Sequence, residues 1–174
     1  MKFLVIAHVF PPAIDGGSSH IYSLGQQLLC HGHRILYLSS DCLSTDDFVS
    51  PINSPVNHRS PDILRLPVYR RLSHPLKLFS RLLSRGPIFR LLPFVQALIQ
   101  IFKFHPDYII AGPFPTTIPL YAYLFKLITR ALLILVPCFH STDPHFILPA
   151  IKHCLQKADY LLPLTPPEKT FLSR

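Results

Sequence analysis

Short, dense apolar runs alternate along the chain with stretches in which apolar residues recur at helical spacing. Lys2 to His8 is almost continuously apolar and stops at Pro11-Pro12 and Gly16-Gly17, the pattern of a strand covered on both faces in a parallel sheet. From Ser18 the apolar positions Ile21, Leu24 and Leu28 fall on one helical face with Gln26 and Gln27 opposite, and Gly32 supplies the stop. Arg34 to Ser39 predicts a second strand, Ser40 to Pro61 a long polar loop, and Ile63 to Val68 a third strand. Between Leu72 and Phe104 the pattern predicts one or two apolar, basic helices broken near Gly86-Pro87 and Pro93.

Asp107 to Ala111, Ala131 to Val136 and Tyr160 to Leu164 predict three more strands, with helices over Thr116 to Thr129 and Phe146 to Lys157 between them. Thr165-Pro166-Pro167-Glu168 has the form of a capping box and predicts a last helix. Such alternation predicts an α/β fold: a single Rossmann-like, doubly wound, mainly parallel sheet with helices on both faces. Only the residues from Pro166 to Arg174 follow the cap, too few for an isolated helix, so this helix must dock or continue, and the domain is expected to be truncated at its C-terminal end.

At 174 residues and 49% apolar composition the chain can bury one sizeable core but not two, so residues 1–174 are expected to form one domain. The opening apolar run is too short for a signal peptide, and Lys126 and Arg130 interrupt the segment Pro119 to Val136, which excludes a membrane span there. Cys30, Cys42, Cys138 and Cys154 lack CxxC pairing, so reduced thiols in a cytoplasmic protein are expected. The net charge of +8 calls for an anionic partner. Arg65, Arg70, Arg71, Lys77, Arg81, Arg85 and Arg90 concentrate that charge where no acid follows Asp62.

The stretch Pro11-Pro12-Ala13-Ile14-Asp15-Gly16-Gly17-Ser18-Ser19-His20 joins the first strand to the first helix. In a doubly wound sheet that turn lies at the carboxyl edge, where Gly16 and Gly17 can bring bare backbone amides against a phosphate. A tight turn alone would also account for two glycines. The whole stretch PPAIDGGSSHIYSLGQQLLCHGHRILYLSS resembles the opening of family 4 glycosyltransferases, PPxxGGxxxHxxxLxxxLxxxGHxVxxxT, at Pro11, Pro12, His20, Leu24, Leu28, Gly32 and His33, with the glycine pair Gly16 and Gly17 one residue later than in that pattern. HPDYIIAGPFP from His105, LLILVPCFHSTDP from Leu132 and KADYLLPLTPPEKTFL from Lys157 resemble three later segments of that family in the same order.

The resemblance implies the N-terminal, acceptor-side half of a GT-B fold. It places Gly16, Gly17 and His20 beside a donor diphosphate or the acceptor, and His140 facing the transferred sugar as the catalytic residue. It implies transfer, with retention, from a nucleotide-sugar to a glycan, lipid or small acceptor, with no cofactor and no metal. Gly112 departs from the family, which commonly has histidine there. His140, Asp143 and His145 have no standard metal-site spacing. The family's Glu-x7-Glu pair belongs to a second, donor-binding domain and cannot exist here, because Glu168 is the chain's one glutamate. A donor-binding domain or chain is therefore expected as a partner, and little transfer by this polypeptide alone.

The stretch from Tyr69 to Phe104 also reads as a surface for an anionic membrane or a lipid-linked acceptor, with Arg70, Arg71, Lys77, Arg81 and Arg85 as its charges and Leu76, Phe79, Leu82 and Leu83 on one helical face. Leucines in the core with solvated arginines would give the same pattern. Nucleic acid is disfavoured, since no recognised motif accompanies the charge. The rival to an enzyme is a non-catalytic membrane-surface or protein-interaction module; a self-sufficient nucleotide-binding domain is disfavoured by the lack of GxGxxG.

Overall fold

The computed structural model describes residues 1–13, 15–43, 63–69, 86–114, 116–138 and 148–172. Among the described residues there are six strands and five helices, in the order β1 (Lys2–Ile6), α1 (Gly16–Cys30), β2 (Arg34–Ser40), β3 (Ile63–Leu66), α2 (Leu91–Phe104), β4 (Tyr108–Ala111), α3 (Ile118–Thr129), β5 (Leu132–Leu135), α4 (Pro149–Lys157), β6 (Tyr160–Leu161) and α5 (Pro166–Leu172). The sheet order is β3-β2-β1-β4-β5-β6 and every pairing is parallel. The expected doubly wound sheet is therefore present, with β1 at its centre between β2 and β4.

Successive strand residues point to opposite faces, so β1 feeds two cores. Leu4 and Ile6 join Leu36, Leu38, Ile109, Leu133 and Leu135 beneath α2, α3 and α4, which contribute Ile101, Phe125 and Ile151. Phe3 and Val5 join Tyr37, Ile110 and Val136 on the other face, where α1 contributes Ile21. At Gly25 of α1 a Cβ would lie 2.6 Å from the Tyr37 hydroxyl, which Gln26 Nε2 reaches at 2.8 Å. The bare backbone at Gly25 is what lets the helix ride over that ring.

The predicted stop of α1 at Gly32 holds, while the helix begins at Gly16, two residues before the expected Ser18. Asp15 is its N-cap, and its carboxylate accepts from the Ser18 N–H at 2.9 Å. At the other end Gly32 sits at φ +80°, its N–H bonded to Leu29 O and that of His33 to Leu28 O, the paired bonds of a Schellman stop. The break expected at Pro93 is not there: α2 runs through it from Leu91. Pro93 lies in the first turn, whose N–H groups have no partner within the helix, so proline costs nothing. Gly86-Pro87 does precede the helix, and Phe89 pairs with Val68 in an isolated antiparallel bridge. The segment 70–85, on which much of the expected basic surface falls, lies outside the described residues.

Glu168 and Thr165 cap α5 reciprocally, in a slightly shifted box. Thr165 Oγ1 accepts from the Glu168 N–H at 3.3 Å, while the Glu168 carboxylate takes the N–H of Leu164 at 2.6 Å rather than that of the N-cap itself. β6 is short, and Asp159 ties it in by accepting from the Leu133 N–H and from Lys126 Nζ, both at 2.7 Å.

Candidate functional site

In an open parallel sheet the connection changes direction where neighbouring strands lead to opposite faces, and the chain parts there to leave a crevice at the carboxyl edge. Here that point lies between β1 and β4, whose exits are bound together: the Gly112 N–H donates to Ile6 O, and the buried His8 ring bonds the Pro113 backbone. On the other flank Ser40 Oγ donates to His8 O at 2.6 Å. Arg65 of β3 turns inward, its guanidinium donating to the carbonyls of Phe10 and Pro11 and so holding a cation against the loop after β1.

The start of α1 faces this edge. Its first N–H groups have no acceptor within the helix and carry the positive end of the helix dipole, so they suit an anion or a carbonyl oxygen. Asp15 already satisfies one of them, at Ser18, and brings a carboxylate to the same end. The two glycines differ in what requires them. A Cβ on Gly17 would lie 2.8 Å from Pro113 Cγ, so Gly17 is needed to pack α1 against the exit of β4. A Cβ on Gly16 would meet nothing within 4 Å among the described residues, so nothing in this packing explains glycine there. His20 is exposed one turn along, on the helix face of Gly16.

The exits of β4 and β5 close the other side. Gly112 is held so near β5 that a Cβ would sit 2.3 Å from Val136 O. This is the physical reason a histidine is missing there: no side chain fits this backbone. Phe114 N–H donates to Pro137 O at 3.0 Å, and Cys138 follows at φ 51°. Burial pushes the Cys138 thiol up to about 11, with the negative charges of Glu168 and Asp15 adding to the effect. A thiol held protonated in this way is a poor nucleophile. Burial likewise holds the His8 imidazole down at about 4, against the opposing pull of Asp15, so it is neutral at pH 7.

Of the residues expected to act, Gly16, Gly17 and His20 lie together at the carboxyl edge. His140 lies outside the described residues, as do Arg70, Arg71, Lys77, Arg81 and Arg85. Cys138 at the rim is the last described position before His140. Among the described residues no three His, Cys, Asp or Glu side chains gather as a metal site; Asp143 and His145 are not among them. Sequence reasoning passed over His8 and Asp15 and counted Arg65 only as surface charge. A histidine at the end of an apolar run before a turn was the one available signal for His8.

Comparison of the chain with protein-family models finds no match, and comparison with curated protein sequences finds none either. Among solved structures it is similar to sucrose-phosphate synthase from Thermosynechococcus elongatus, with a TM-score of 0.61 and 17% identity over 99% of this chain. The chain spans 44% of the length of that protein. At such identity the likeness is one of fold alone: an α/β domain with a parallel, Rossmann-like sheet.

Proposed function

We propose that the chain is the acceptor-side domain of a retaining, family 4-like glycosyltransferase, cytoplasmic and completed by a donor-binding domain or chain. The observation that carries this reading is Gly16, a glycine facing open space at a helix start beside the topological switch point. A sugar diphosphate or an acceptor hydroxyl can approach that backbone where a side chain would bar it. In this reading Gly16, Gly17 and His20 hold the substrate rim, and His140, carried by the connection after β5, faces the transferred sugar.

Breaking the bond to the leaving diphosphate requires preorganised positive charge at its oxygens. Arg65 is spent on the loop carbonyls of Phe10 and Pro11, and Glu168, the chain's one glutamate, on the cap of α5. The cations and the Glu-x7-Glu pair therefore come from the partner. A second reading, a module that keeps the fold without the chemistry, is favoured by one observation: the Asp15 carboxylate sits at the helix start that an anionic ligand would use.

The test is release of nucleoside diphosphate from UDP-, GDP- and ADP-hexoses. The chain alone is expected to give none above background. With a donor-binding domain supplied in trans or fused, transfer appears and falls by roughly a hundredfold in His140→Ala. Turnover by the unaided chain overturns the need for a partner, and a complemented enzyme indifferent to His140→Ala overturns the catalytic assignment.

A further inference from the structure

The outer side of α2 is apolar where a surface helix is ordinarily polar. Leu91, Leu92, Val95, Ile99 and Phe102 are all exposed, Leu92 at 70% and Phe102 at 60%. At about 100° per residue these five positions fill one arc of roughly 100° of the helix, leaving Gln96, Gln100 and Lys103 as its narrow polar border. Ala97 and Ile101, on the opposite side, are buried in the core. The exposed stripe is thus additional to the face that holds the helix to the sheet.

It also continues beyond the helix. Phe102 lines a cleft of about 620 Å³ together with Ile128 and Leu132, and Arg130 and Asp107 stand in the same wall, the Asp107 carboxylate already taking the Lys2 N–H. Ile128 is exposed, as is Leu127 beside it on α3. An apolar surface spanning two elements marks a docking face rather than the scattered leucines any protein shows.

The charges around it select the occupant. From Ile63 to Pro106 the sequence has no aspartate or glutamate, and α3 has none. Arg90 precedes α2, Lys103 closes it, and Arg130 follows α3. A second copy placed on this face would bring like charges together at its rim, which disfavours self-association. A bilayer with anionic headgroups matches both features, taking the apolar stripe at the headgroup boundary and the cations at the phosphates. No helix among the described residues is long and apolar enough to cross a membrane, so contact would be from one side.

We propose that the α2 outer face, extended by the end of α3, rests on an anionic lipid surface. This does not depend on sugar transfer; it would hold for the enzyme and for the module alike. The chain has no tryptophan, so one placed on the stripe is a clean reporter. Ile99→Trp is expected to shift its emission to the blue with phosphatidylglycerol-containing vesicles and to stay unchanged with pure phosphatidylcholine. Co-sedimentation with the anionic vesicles should fall by roughly tenfold in Leu92→Glu/Phe102→Glu. It should also fall in Arg90→Gln/Lys103→Gln, which alters no core contact, with far-UV circular dichroism unchanged in both. No shift with anionic vesicles, or an equal shift with both compositions, overturns the proposal. So does a dimer in sedimentation equilibrium that Leu92→Glu/Phe102→Glu dissolves.

Discussion

A histidine buried at a strand end couples folding to pH. The His8 ring is held at about 4 by burial, against 6.5 when free, so the unfolded chain binds a proton in the range where the folded one does not. Its contribution is intact above the unfolded value and is lost as pH falls from 6.5 toward 4. At pH 5 the loss is about 2 kcal/mol. His8→Asn, which can still bond the Pro113 carbonyl, is expected to remove that much of the drop in urea-derived stability between pH 7 and pH 5. An unchanged pH dependence would show that the ring is solvated. None of this was readable from the apolar run Phe3 to Phe10, because position in a strand does not reveal which face, or which end, lies deepest.

For helices the legibility depended on the end. The stop of α1 was legible, since Gly32 acts on backbone groups of its immediate neighbours, whereas Asp15, which caps the start by an equally local bond, was passed over. Pro93 was misread because proline breaks a helix only beyond its first turn, and the side chains before α2 do not announce where that turn begins. The two glycines of α1 looked equivalent in sequence, and only the approach of Pro113, from far along the chain, separates them. Gly17→Ala is expected to cost about 1 to 2 kcal/mol, because the new methyl must push α1 off a rigid proline. Gly16→Ala should be neutral, or stabilising by about half a kcal/mol, through helix propensity. Urea midpoints check both; an equal loss from each would mean that Gly16 too is pinned by packing.

The α/β class followed from alternation alone, but the order β3-β2-β1-β4-β5-β6 did not, since each parallel pairing depends on contacts between distant segments. The candidate site shared that fate: its glycines were legible as a motif, while its surroundings, from Arg65 to Gly112, are products of the order. Because β1 supplies both cores, the two faces are expected to unfold together. Tyr37 on one face and Tyr121 on the other should report one coincident urea transition, and separate midpoints would mean two units. The central place of the first strand has a further consequence during synthesis. Lys2 N–H is bonded to the Asp107 carboxylate, 105 residues away, and β1 finds its second neighbour only in β4. A nascent chain leaving the ribosome must carry an open-sided β1 until β4 emerges, so a strand buried from Phe3 to Ile6 in the folded molecule waits for its cover and is the natural point of engagement for a chaperone.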